Sequence, residues 1–189
     1  MTKKVINQKG KFDEELINTI EPNFVFKDKP INRFNIIEKS NGEDQIDKAE
    51  RLEKLKKLIN TIDNCNLKDN SQNLVLGDGN INSLIMLIGE APGIEEDKSG
   101  TTFKGEIGQL LDKMLLAIKI KKQNIYCTYA INFRPPEDRK PTSQEIKRYS
   151  VFLKEHISII NPKIIILMGS SAMEAVTGIN TKISSERGK

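Results

Sequence analysis

Two short, unbroken apolar runs constrain this chain most: Leu84-Ile-Met-Leu-Ile88, closed by Gly89, and Lys163-Ile-Ile-Ile-Leu-Met-Gly169. Neither alternates apolar with polar residues, so neither reads as a strand with one wet face. A continuous run of strand length bounded by glycine is the pattern of a strand covered on both faces, as in a parallel sheet. Between the runs, Ile107, Leu110, Leu111, Met114, Leu115 and Ile118 recur at helical spacing and predict a helix with one apolar stripe. Another strand is expected over about Asn124 to Ile131, followed by a proline-rich loop ending at Pro141. Thr142-Ser-Gln-Glu145 then has the capping-box pattern and starts a helix carrying Ile146, Tyr149, Leu153, Ile157 and Ile160. Ser170 or Ser171 is placed to cap a further short helix. This alternation predicts an α/β chain, a three-layer α/β/α arrangement around a short central parallel sheet. Ligands of such sheets bind beyond the carboxyl ends of the strands, so the loops after Ile88, Ile131 and Gly169 are the ones to inspect.

Ahead of this core, residues 1–42 carry no sustained period and read as a loosely ordered arm; residues 43–189 form the domain. From Glu43 to about Asn64, Ile46, Ala49, Leu52, Leu55, Leu58, Ile59 and Ile62 predict an amphipathic helix that docks on the core. Composition then removes several chemistries. With two cysteines and one histidine, the chain can build neither a disulfide framework nor a four-ligand structural zinc site. His156 is the one possible triad base, and its place inside a predicted helix makes it a partly exposed helix residue. No run approaches the ~20 apolar residues that span a bilayer, and Met1 to Gly10 has no apolar signal core, so a cytoplasmic setting is expected. The net charge of +4 is unevenly placed. Between Lys113 and Arg148, Lys113, Lys119, Lys121, Lys122, Arg134, Arg139, Lys140, Lys147 and Arg148 stand against only Glu137, Asp138 and Glu145. Such a concentration suits a phosphate-backbone partner, although solvated helix ends and loops produce the same count.

The first loop reads Gly89-Glu-Ala-Pro-Gly93-Ile-Glu-Glu-Asp97-Lys-Ser-Gly100-Thr-Thr-Phe103-Lys-Gly105. Gly89 and Gly93 allow a sharp turn that brings backbone amides close to a ligand, and Pro92 stiffens it. Three consecutive acids argue against a phosphate cradle, and no nucleotide-binding glycine pattern is present. A carboxylate here can orient water beside a developing positive charge. Phe103, flanked by glycines and off any packing stripe, can stack on a flat ligand or plug the loop from below. In the second loop, Asn132 to Pro141, rigid prolines hold arginines that could press onto phosphates.

Together, Met86-Leu-Ile-Gly-Glu-Ala-Pro-Gly93, Glu96-Asp97, Phe103-Lys-Gly105, Gly108-Gln-Leu-Leu-Asp-Lys-Met-Leu115, Arg134-Pro-Pro136, Arg139-Lys-Pro141 and Pro162 through Gly169 resemble the type-4 uracil-DNA glycosylases. The resemblance runs ungapped from about Cys65 to Gly178. It is strongest to the alphaproteobacterial variant, whose cluster cysteines are partly replaced. It implies a monomeric enzyme that hydrolyses the N-glycosidic bond of deoxyuridine in DNA during base excision repair, with the uracil flipped into a pocket. On that resemblance Gly89, Ala91, Pro92 and Gly93 wall the pocket. Glu90 and Glu96 are the catalytic carboxylates, Glu96 orienting water; Phe103 stacks on the base, and Tyr129 stands where an asparagine reads the uracil edge. Arg134, Arg139 and Lys140 would meet DNA.

The sequence departs from the family in four ways. The four cysteines of the family's [4Fe–4S] cluster fall on Ile62, Cys65, Phe133 and Tyr149, so only Cys65 remains and no cluster or other cofactor is expected. Tyr129 offers one hydroxyl where an amide offers a donor and an acceptor, and Asn132 is the nearest amide. The family's histidine, which stabilises the departing uracil anion, would lie beyond Lys189. The chain also ends before the family's final strand and helix, which predicts a C-terminally truncated domain with an unpaired sheet edge and impaired activity. The alternative reading is a catalytically inactive DNA- or base-binding homologue. A flavodoxin-like nucleotide-binding domain is disfavoured by the acidic first loop.

Overall fold

The structure is a computed structural model that describes residues 43–186. The arm expected over residues 1–42 lies outside the described residues. The elements in order are α1 (Glu43–Asn60), α2 (Asn66–Asp69), β1 (Asp78–Gly79), β2 (Ile85–Gly89), α3 (Ile94–Ser99), α4 (Gly105–Ala117), β3 (Tyr126–Tyr129), α5 (Ser143–Ile160), β4 (Ile164–Leu167), α6 (Ser170–Thr177) and α7 (Ile183–Glu186). Both apolar runs form strands, as their composition requires. The sheet order is β1-β3-β2-β4, with β2 parallel to both neighbours: Leu87 lies opposite Cys127 on one side and Ile166 on the other. β1 pairs antiparallel with β3. Asp and Gly are poor strand formers, so this short strand has no signature in the sequence.

Side-chain alternation along β2 separates two cores. Met86 and Ile88 face one layer, with Leu52, Leu55 and Ile59 of α1, Ile146, Tyr149 and Leu153 of α5, and Ala172 and Ala175 of α6. Leu87 faces the other, with Leu111 and Leu115 of α4, Phe103, Cys127 and Tyr129. The result is the expected α/β/α sandwich around a mostly parallel sheet. The capping box of α5 forms as its sequence predicts: Thr142 Oγ1 accepts from the Glu145 amide at 3.3 Å, and Glu145 Oε2 accepts from the Thr142 amide at 2.7 Å.

Four expectations change. The stripe on α4 is broader than the sheet that covers it: Leu111 and Leu115 are buried, whereas Ile107, Leu110, Met114 and Ile118 are 58–68% exposed. Leu84, at the head of the first run, is also exposed, as are Ile164, Ile165 and Ile166 on β4, which among the described residues pairs only with β2. His156 is not a partly exposed helix residue but 1% exposed. Its Nε2 lies 2.9 Å from the Tyr126 hydroxyl, and the two rings meet edge to face. Burial pulls its imidazole down to about 4, so it is neutral at physiological pH. The spacing contains the reason: position 156 is one heptad beyond Tyr149 and three residues beyond Leu153, hence on the inward stripe. Finally, α6 is capped by Gly169, with no side-chain cap, and Ser170 and Ser171 bond elsewhere.

Candidate active site

The loop after β2 is held open by its own acids. Gly93 is the N-cap of α3, and Glu96, three residues on, accepts the Gly93 amide on Oε2 at 3.0 Å. Its other oxygen, Oε1, accepts the Lys104 amide at 2.7 Å. One buried carboxylate thus ties the start of the loop to its end. Asp97 Oδ1 accepts the amides of Gln72 and Asn73 at 2.9 and 3.0 Å. Asp78 takes the Thr102 amide and hydroxyl, both at 2.7 Å. The acidic run that looked wrong for a phosphate cradle is mostly internal bracing, because a buried carboxylate needs several N–H donors. Glu95 alone of the three consecutive acids stays at the surface, beside Lys98.

These braces fix Phe103. It has a left-handed backbone, φ +48°, unusual for an aromatic residue. Its amide donates to the Tyr129 hydroxyl at 2.9 Å, and the two rings lie 4.9 Å apart at 38°. Two glycines make room for the pair. A Cβ on Gly89 would stand 2.7 Å from the Tyr129 ring and 2.9 Å from Phe103 Cζ, and one on Gly108 would collide with the Phe103 carbonyl. Burial pushes the Tyr129 phenol well above its ordinary value, with the nearby Glu96 charge adding to the rise, so it remains protonated.

The braced loop and the aromatic pair enclose a cavity of about 570 Å3 at the carboxyl end of the sheet. Residues Gly89 to Glu96, Phe103, Tyr129, Pro135, Asp138, Arg139 and Met168 line it. Every residue expected to wall a pocket is therefore brought together: Gly89, Ala91, Pro92, Gly93, Phe103 and Tyr129, with Glu90 and Glu96. Phe103, 5% exposed, packs beneath the loop and also lines the cavity. Glu90 Oε2 accepts from Ser171 Oγ at 2.6 Å. Ser171 was anticipated only as a helix cap; its position just past a strand end was the available signal. Asn132 stands apart from the cavity lining. It is buried, and its Nδ2 donates to the Val75 carbonyl at 3.0 Å.

The second loop presents its cations already paired. Arg134 binds Asp138 through Nε at 2.6 Å and Nη2 at 2.9 Å. Arg139 forks onto Glu145 at 2.9 and 2.7 Å. The Arg134 guanidinium holds the Asp138 carboxyl below its ordinary range, and Arg139, with the Thr142 bonds, pulls Glu145 down to about 2. Arg139 reaches the cavity mouth, whereas Arg134 and the exposed Lys140 are not among its lining. Both pairs are bidentate and partly covered, with side-chain exposures of 23% and 46% in one and 38% and 21% in the other, so a phosphate binding either guanidinium must displace a carboxylate or share the arginine with it.

The residues at the positions of the family's cluster ligands do come together, but as a plug. Cys65 Sγ and the Tyr149 hydroxyl lie 3.1 Å apart, Phe133 packs edge to face on Tyr149, and Ile62 packs against the same core. One thiol among aliphatic and aromatic groups does not fit a [4Fe–4S] cluster, which takes four thiolates. Cys127 cannot assist: it is buried in the other core, and burial pushes its thiol up to about 12. Among the described residues, no group of three or more His, Cys, Asp or Glu side chains is arranged to hold a metal ion, and no helix is long and apolar enough to cross a membrane.

Comparison with known proteins follows the same lines. The family model described as the uracil DNA glycosylase superfamily matches residues 76–188. A type-4 uracil-DNA glycosylase of Thermotoga maritima is 38% identical over 125 residues, covering 66% of this chain and 65% of that protein. One from Pyrobaculum aerophilum is 34% identical over 125 residues, covering 66% and 64%. One from Archaeoglobus fulgidus is 33% identical over 144 residues, covering 74% and 72%. The chain thus spans just under two thirds of the length of the first two of these relatives and 72% of the third.

Proposed function

The chain belongs to the uracil-DNA glycosylase superfamily, and from that premise we propose that it hydrolyses the N-glycosidic bond of deoxyuridine in DNA, as a monomer and without an iron–sulfur cluster. The observation that carries this reading is the aromatic-walled cavity at the strand ends, built from Gly89 to Glu96, Phe103 and Tyr129. A uracil extruded from the duplex would enter it and stack on Phe103, the extrusion being cheapest at a mispair. The C1′–N1 bond then breaks with its electron pair going to N1, water adds its oxygen to C1′, and the proton that water loses ends on the departing uracil anion. Of the loop's backbone amides, those of Glu90 and Ala91 would stabilise the charge that develops on the uracil oxygens, because Pro92 has no N–H and the Gly93 amide is taken by Glu96.

Of the two expected carboxylates, Glu90 is the one available to orient that water and to face the cationic sugar. It lines the cavity and is aimed by Ser171. Glu96, with both oxygens on backbone amides, acts by holding the loop. Tyr129 contributes one O–H donor and a flat wall, because its oxygen already accepts the Phe103 amide. Base choice would then rest on shape and stacking more than on edge reading. Arg139 at the cavity mouth and Arg134 and Lys140 beside it would meet phosphates. The test is a uracil-containing duplex beside its thymine counterpart, with alkali cleavage revealing abasic sites. Abasic product from the uracil strand alone supports hydrolysis; no product and no preferential binding overturns it.

The commitment of the Tyr129 oxygen and of both Glu96 oxygens favours a second reading, a homologue that binds DNA or a flipped base without chemistry. Salt-dependent binding of the uracil strand without turnover distinguishes it.

A further inference from the structure

We propose that Lys122 is a positioning residue that fixes Phe103 as a stacking platform, an inference that rests on the reading of Phe103 given above. Lys122 precedes β3 in a short 3-10 turn, Lys122–Asn124, and its side chain turns back onto the first loop. Nζ donates to the Thr102 carbonyl at 2.8 Å and to the Phe103 carbonyl at 2.9 Å. The same ammonium lies 5.9 Å from the centroid of the Phe103 ring, at the outer limit of a cation–π contact.

Phe103 needs such a restraint. A left-handed backbone on a non-glycine residue persists only where its surroundings over-determine it. Three groups do so here: Tyr129 takes the Phe103 amide, Glu96 takes the amide of Lys104, and Lys122 holds the two carbonyls at and before Phe103. Two of the three restraints come from the segment around β3, and the third comes from within the loop. Among the described residues, Lys122 is thus the one cation that locks the loop to the sheet from outside the cavity. Its charge belongs to the basic surplus that the sequence offered as a DNA surface, but its N–H donors are directed at loop carbonyls. A phosphate contact and a loop clamp therefore make different predictions for the same residue.

The experiment compares wild type, Lys122→Met and Lys122→Arg on the uracil-containing duplex under single-turnover conditions. It adds amide hydrogen exchange at Phe103 and Lys104 and the salt dependence of affinity for undamaged duplex. For a clamp, Lys122→Met lowers the cleavage rate at saturating protein at least tenfold and speeds exchange at both amides at least tenfold. Lys122→Arg recovers each to within about threefold, and the salt slope of the Met variant stays that of wild type. A Met variant whose exchange matches wild type overturns the proposal. So does one that cleaves normally at saturation but loses about one phosphate's worth of salt slope, which would make Lys122 a backbone contact. Should wild type cleave nothing, the glycosylase reading fails, while the exchange measurement still decides whether Lys122 holds the loop. Thermal melts accompany each variant, so that exchange from global unfolding is recognised by its appearance at core amides such as Ile88.

Discussion

Replacing Gly89 by alanine tests the geometry of the aromatic wall most directly. Gly89 ends β2 with no positive φ, so the substitution asks for no unusual backbone and its effect is purely steric. The new Cβ would stand 2.7 Å from Cδ1 and Cε1 of Tyr129 and 2.9 Å from Cζ of Phe103, where ordinary contact is 3.4–4 Å. Both rings must therefore retreat by at least ~0.5 to 0.7 Å. Both are held: the Tyr129 hydroxyl and Phe103 amide are bonded, and Phe103 has a fixed backbone. Overpacking of this kind costs about 1–3 kcal/mol. For a chain of this size that lowers Tm by roughly 2–12 °C. Displacing the stacking platform by about half an ångström costs on the order of tenfold in cleavage, where a 1 Å shift can cost about a hundredfold. The assay pairs urea unfolding with single-turnover cleavage of a uracil duplex, in a cycle with Tyr129→Ala. Removing the ring gives the new methyl room, so Gly89→Ala should cost about 1 kcal/mol less in that background. Equal stability losses in both backgrounds, or a Gly89→Ala protein as stable and active as wild type, would refute the contact.

Glu96→Gln keeps the side-chain shape but turns one acceptor into a donor, facing either the Gly93 or the Lys104 amide. A loss of roughly 2 kcal/mol is expected in denaturant unfolding, and an unchanged midpoint would contradict the brace. His156 is neutral when folded, with its value depressed from 6.5 to about 4. Its contribution to stability is therefore complete above pH 6.5, falls as pH drops toward 4, and reaches roughly 3 kcal/mol in total. Unfolding of His156→Phe across this window should lack that slope; retention of the full slope would mean other groups supply it. Tyr149→Phe leaves the Cys65 thiol without its buried partner and should cost about 1 kcal/mol. Protein purified under anaerobic conditions should carry no stoichiometric iron, and a cluster absorbance band would show that the Cys65 plug opens.

The strands were legible because their signal is local: an unbroken apolar run of strand length bounded by glycine forms a strand even where, as on β4, its side chains stay exposed, and Thr142 with Glu145 needs no distant partner. The pocket was legible as a set of residues, since Gly89 to Gly93 and Phe103 follow one strand end. What each side chain does there was harder to read, because it depends on atoms far along the chain. Glu96 becomes a brace only when the Lys104 amide comes round to it, and Tyr129 becomes part of the Phe103 support only across the sheet. The wide apolar face of α4 shows the same limit in reverse. Helical spacing counts apolar positions, but burial of Leu111 rather than Leu110 is decided by the sheet beneath. His156 is a different case, since its heptad spacing from Tyr149 already placed it inside.

Cys65 and Cys127 lie in the two cores, on opposite faces of the sheet, and both are free and buried. Each layer of the sandwich therefore carries its own chemical witness. A thiol reagent reaches Cys65 only when the layer formed by α1 and α5 loosens, and Cys127 only when the layer beneath α4 does. Labelling rates at the two sites, followed in a single sample by mass, would report whether the molecule opens as a unit or one face at a time. Because Cys127 shares its layer with Phe103 and Tyr129, its rate would also register how firmly the pocket wall is seated.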